Sequence, residues 1–140
     1  MKFVVIMVAL LFHASALQAS ELDDQSWKVV NYWSKSCAPC RVEIPELNYL
    51  SEALAPFGVE VLGVDFDEHS REQTLQIAER MGITFPTLTI ANVEQLNMTP
   101  PAVLPTTYIL APDNSVRAKL IGAQDRDMIM AKLAELEIGK

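Results

Sequence analysis

Apolar residues along this chain fall into two kinds of run, and the kind changes from segment to segment. Trp27 to Trp33 (Trp-Lys-Val-Val-Asn-Tyr-Trp) is rich in β-branched and aromatic residues, which predicts a buried strand. From Cys40 to about Leu54 the spacing turns helical, with Ile44, Leu47, Leu50 and Leu54 on one side. Pro45 interrupts that helix, removes one backbone donor and predicts a kink just past the cysteines. Gly58 to Phe66 predicts a second central strand. Ser70-Arg71-Glu72-Gln73 matches a capping box, opening a helix to about Met81 with Gly82 in the stop position.

The second half is less regular. Residues 83–90 predict a loop with a short extended piece, and residues 91–104 carry no legible period. Thr106 to Leu110 and Val116 to Ile121 predict two strands joined by a turn at Pro112-Asp113-Asn114-Ser115. Asp125 is placed to cap a final helix with Ile129, Leu133 and Leu136 on one face. The order is β-α-β-α, then a hairpin and a closing helix. It demands one parallel crossover and antiparallel neighbours, so the fold class is α/β with a mixed sheet.

The 140 residues suffice for one domain with a real core. The first stretch reads as something else. Lys2 is followed by ten apolar residues, Phe3 to Phe12, and then by small residues. That is the layout of a secretory leader, with cleavage after Ala19 or Ala16. The expectation is a leader over residues 1–19 and one domain over 20–140. The apolar run is shorter than the roughly 20 residues a membrane span needs, which favours a cleaved leader over the alternative of an uncleaved membrane anchor, and no stable membrane insertion is expected after cleavage. The formal charge is −7, and loss of Lys2 with the leader takes it to −8. So acidic a balance argues against nucleic acid and against an anionic membrane surface.

Cys37 and Cys40 are the only cysteines, and they sit where the first strand gives way to the first helix. Haem attachment wants a histidine directly after the second cysteine, and Arg41 stands there. Structural zinc wants four ligands. The chain adds only His13, in the leader, and His69, alone in a polar stretch. A purely structural disulfide over so short a loop removes little entropy from the unfolded chain. A redox pair explains the spacing best. Unpaired N–H groups and the positive dipole end favour thiolate at a helix start. Cysteines in such motifs have pKa values from about 3.5 to about 7, against about 8.5 for a free thiol. Cys37 is the candidate for attack, and Cys40, in the first turn, for resolution. Pro39 fits early-helix geometry, and Arg41 adds positive charge nearby.

Asn31 to Leu47 (Asn-Tyr-Trp-Ser-Lys-Ser-Cys-Ala-Pro-Cys-Arg-Val-Glu-Ile-Pro-Glu-Leu) and Leu104 to Leu110 (Leu-Pro-Thr-Thr-Tyr-Ile-Leu) resemble the TlpA/ResA-like extracytoplasmic thiol–disulfide oxidoreductases, of the thioredoxin-like superfamily. The segment from Gly63-Val64-Asp65 to Phe85-Pro86 resembles that family's helix-containing insert. The resemblance implies a thioredoxin-like fold: a central mixed sheet flanked by helices. It implies that Pro105 is a cis proline facing the cysteine pair, and that the backbone of Leu104 pairs with an extended segment of a partner. It also implies that Glu43 lies beside the thiols and tunes their protonation. Asn31 stands where thioredoxin proper has a buried aspartate. Ser36 replaces a usual tryptophan, and Met98 to Val103 matches the family poorly.

The function so implied is reduction of disulfides in client proteins outside the cytoplasm. Electrons would come from a membrane thiol-reductant protein, and cytochrome c maturation is the family's best-known setting. The chain is expected to act as a monomer, without cofactor or metal. Two alternatives remain open on the residues alone. One is the reverse direction, as oxidase or isomerase. The other is a metal or haem chaperone using the cysteines as ligands, since soft thiolates select Cu(I).

Overall fold

Six of the seven side chains from Trp27 to Trp33 are buried, which requires neighbours on both edges and both faces. A computed structural model describes Leu22 and residues 25–136 and supplies them. The expected leader lies outside the described residues. The elements run β1 (Trp27–Trp33), α1 (Ala38–Leu54), a 3-10 turn (Ala55–Phe57), β2 (Val59–Asp65), α2 (Arg71–Arg80), α3 (Ile90–Glu94), β3 (Thr106–Leu110), β4 (Val116–Ile121) and α4 (Arg126–Glu135). The sheet order is β2-β1-β3-β4. β1 and β2 are parallel, from Trp27 opposite Val59 to Trp33 opposite Asp65, joined by the α1 crossover. β1 and β3 are antiparallel, with Asn31 opposite Thr107, and β4 returns antiparallel along β3.

Strand side chains alternate between faces, so β1 feeds two cores. Val29 and Trp33 pack with Ile44, Leu47, Leu50 and Leu54 of α1 and with Ile129 and Leu133 of α4. Val30 and Tyr32 point the other way, to Leu62, Val64, Leu88, Leu96 and Tyr108. β2 and the first core need a close approach at Gly63. A Cβ there would sit 2.8 Å from Trp33 Nε1 and 2.9 Å from a Phe85 ring carbon. Gly63 also holds residues 86–88 in place: its N–H donates to the Pro86 carbonyl, and its own carbonyl accepts from Leu88 N–H, both at 2.8 Å.

Four expectations need adjustment. Helix α1 starts at Ala38, not Cys40, because Cys37 itself is the cap. It continues past Pro45, which is exposed, as one element to Leu54. Residues 91–104 are not featureless. Thr89 and Asn92 form a reciprocal capping box that opens α3, and the Tyr108 hydroxyl donates to the Thr99 carbonyl at 2.6 Å. At Ser70 the cap is present, but its hydroxyl donates to Gln73 Oε1 while accepting from Gln73 N–H.

Candidate active site

The parallel strand β1 ends at Trp33, and the chain must turn before α1 can start. Ser34 makes that turn. Its carbonyl accepts from Cys37 N–H at 3.1 Å, and its hydroxyl accepts from Ser36 N–H at 3.2 Å while donating to Asp67 at 2.7 Å. Cys37 is then the N-cap of a 17-residue helix, with extended backbone and its Sγ accepting from Cys40 N–H at 3.2 Å. Pro39 occupies an early helical position, where its missing donor costs nothing. The two cysteines form a disulfide. Cys40 is fully buried, whereas Cys37 is partly exposed and borders the first core. An incoming sulfur can therefore reach Cys37 alone. The exposed Arg41 guanidinium donates to the Lys35 carbonyl at 2.9 Å, in the turn before Cys37.

One helical turn beyond Cys40, Glu43 points inward and is 1% exposed. Its carboxyl is clamped by two other parts of the fold. Asn31 Nδ2 of β1 donates to Oε1 at 2.5 Å, and Gln124 N–H, from the turn before α4, donates to Oε2 at 2.9 Å. The same Asn31 nitrogen donates to Thr107 Oγ1 of β3 at 3.0 Å. Burial pushes the Glu43 carboxyl from 4.5 up to about 7, against the downward pull of Gln124 and Asn31. A group poised there holds or releases a proton near neutrality. Thr107 and Gln124 escaped the sequence reading. Thr107 lies inside a strand, and Gln124 contributes a backbone N–H, so neither carries a local signal.

The Leu104–Pro105 bond is cis. Pro105 is buried, its carbonyl accepting from Gly122 N–H at 2.9 Å. Leu104 is partly buried and, like Cys37, lies against the first core. His69 is not alone. Its Nδ1 lies 2.8 Å from Asp65 Oδ2, and Thr74 donates to the same oxygen at 2.8 Å. Asp67 completes a group whose ligand atoms lie within 4.8 Å of one another. Through Ser34, this network fastens the end of β2 to the turn before Cys37. A cavity of about 700 Å³ opens against the second core, lined by Tyr32, Val64, His69, Val93 and Leu96 among others and by neither cysteine.

The sequence from residue 12 to residue 119 matches the family model described as AhpC/TSA. The chain belongs to the AhpC/TSA family. Within that setting it is 30% identical over 108 residues to the thiol-disulfide oxidoreductase ResA of Geobacillus thermodenitrificans, covering 77% of this chain and 62% of ResA. It is 27% identical over 121 residues to the thiol:disulfide interchange protein HelX of Rhodobacter capsulatus, covering 86% of this chain and 66% of HelX. The chain thus spans less than two thirds of the length of the ResA protein. Among solved structures, StoA from Bacillus subtilis superposes with a TM-score of 0.62 at 17% identity, covering 76% of this chain and 81% of StoA. A DsbF homologue from Corynebacterium diphtheriae gives 0.64 at 24% identity, covering 79% and 72%. These likenesses show the thioredoxin-like fold that the family resemblance implied.

Proposed function

We propose that this AhpC/TSA-family chain is an extracytoplasmic thiol–disulfide oxidoreductase that reduces disulfides in client proteins. The observation that carries the reading is the asymmetry of the cysteine pair. Cys37 is reachable and receives the Cys40 N–H at the start of α1, while Cys40 is sealed behind it. The names of ResA and HelX point to the same chemistry.

The reaction starts from the dithiol. Cys37 thiolate attacks one sulfur of the client disulfide; a Cys37–client bond forms, and the other client sulfur leaves as a thiolate and takes up a proton. Cys40 then attacks the Cys37 sulfur, the mixed bond breaks, and the second client thiol is released. Two electrons pass to the client, and the protein ends as the Cys37–Cys40 disulfide. A membrane thiol-reductant protein returns those electrons. Buried Cys40 must lose a proton before it attacks, and Glu43, one turn away with a carboxyl near 7, accepts it. Pro105 presents the Leu104 backbone to an extended client segment beside Cys37. Export rests on the residue 1–19 leader. No helix among the described residues is long and apolar enough to cross a membrane.

The test is insulin reduction together with redox equilibration against glutathione. Catalysed precipitation of insulin, lost in Cys37→Ser, is expected, with a potential well below the roughly −120 mV of a strong oxidant. A potential near that value would reverse the direction to oxidation. Bound Cu(I) at one equivalent with no exchange would replace the reading with a chaperone.

A further inference from the structure

Asn31 is 1% exposed at the centre of β1, on the face covered by α1. Both protons of its amide nitrogen are engaged, one by Glu43 Oε1 and one by Thr107 Oγ1. Its carbonyl oxygen Oδ1 is buried and has no partner. The other carboxyl oxygen of Glu43 takes the Gln124 N–H. Every one of these donors suits a carboxylate. Protonation at Oε1 would turn an O–H against the Asn31 N–H₂, and two donors would face each other.

The unpartnered oxygen resolves that conflict. Half a turn of the amide brings Oδ1 to the place now held by Nδ2. There it accepts from the Glu43 O–H and from the Thr107 hydroxyl, a group able to act as acceptor in one state and donor in the other. In the present orientation the far end of the amide has no protein partner, so no hydrogen bond there holds it in place. We propose that Asn31 is a positioning residue whose amide turns over with the protonation of Glu43, relaying the state of that carboxyl to Thr107 on β3. Thr107 is two residues from cis Pro105, so the relay ends beside the loop assigned to the client. The inference rests on the reading of Glu43 as proton acceptor in the exchange.

The neighbourhood leaves the amide as the responsive partner. Cys40, one turn before Glu43 on α1, is joined to the N-cap Cys37, and neither titrates. Glu46, one turn after, is tied to Arg126 of α4 at 3.0 Å. Asp125, next to Gln124, turns its carboxylate to Met128 N–H. Lys28 of β1 alternates onto the other face and donates to the Ser26 carbonyl. No charged group contributes to the displacement of the Glu43 carboxyl.

The experiment is NMR of the oxidised protein from about pH 5 to about pH 9, bracketing a carboxyl displaced by burial. It follows the Asn31 side-chain N–H₂ pair and the Glu43 carboxyl carbon. The pair is expected to titrate with the Glu43 midpoint in wild type and to stay flat in Glu43→Gln. Asn31→Leu, which removes a donor to a charged group, is expected to move the Glu43 midpoint upward by about tenfold or more in proton concentration. An Asn31 pair that stays flat while Glu43 titrates overturns the relay, as does a Glu43 that does not titrate in this range. No client or dithiol is involved, so failure to reduce insulin would leave this result standing, and a flat amide would leave the exchange activity standing.

Discussion

Replacing Glu43 by glutamine isolates the energetic cost of one buried carboxyl. Its pKa is about 7 in the fold against an ordinary 4.5, a displacement of about 2.5 units, or about 3 kcal/mol at 1.36 kcal/mol per unit. The sign follows from which state holds the proton. Between the two values the unfolded chain is ionised while the fold keeps Glu43 neutral, so the folded state binds the extra proton. Stability is free of this penalty below about pH 4.5, falls as pH rises through about 7, and is level above it. Glu43→Gln also exchanges the carboxyl's hydrogen bonds with Asn31 and Gln124 for those of an amide, so it carries its own pH-independent cost. The informative quantity is therefore the change in unfolding free energy between about pH 4.5 and about pH 8, wild type minus variant. Urea titrations of the oxidised proteins measure it, and the joined cysteines add no titration of their own. The expected double difference is about 3 kcal/mol, wild type losing more on the way up. Stability curves that run parallel across this window would refute the assignment of a neutral buried carboxyl to Glu43.

Two further substitutions test the packing around the site. Gly63→Ala puts a methyl 2.8 Å from Trp33 Nε1, an overpacking expected to cost about 1–3 kcal/mol and read as a lower Tm; an unchanged Tm would mean that Trp33 is loosely held. Tyr108→Phe removes the bond to the Thr99 carbonyl. It should cost about 1 kcal/mol and speed proteolysis between Leu96 and Leu104, whereas an unchanged cleavage rate would contradict the pinning of that segment.

The strands were legible because their signals are local. β1, β3 and β4 occupy the ranges predicted from β-branched runs and the turn at residues 112–115, and Asp125 caps α4 as expected. The apolar period puts the start of α1 two residues late because Ala38 and Pro39 carry none of it. Helix α3 was missed because it is one short turn, and its capping box uses Asn92 where glutamate or glutamine is the usual sign. At the site, the cysteines announce themselves by spacing, and Glu43 is pointed to only by the family resemblance. The groups that set the Glu43 environment carry no such sign, since they arrive from strands and a turn far away in sequence. His69 looked isolated because Asp65 ends a strand four residues earlier, and only the intervening turn brings them together.

The central claim is that Cys37 is the reactive sulfur, made so by the amide donor at the start of α1. Timed iodoacetamide labelling of the reduced protein, with the modified residue located by mass spectrometry across a pH series, tests it most directly. Cys37 should react first, Cys40 far more slowly, and the Cys37 rate should rise with a midpoint below the roughly 8.5 of free cysteine. Labelling that begins at Cys40, or a Cys37 midpoint at or above that of free cysteine, would contradict the account.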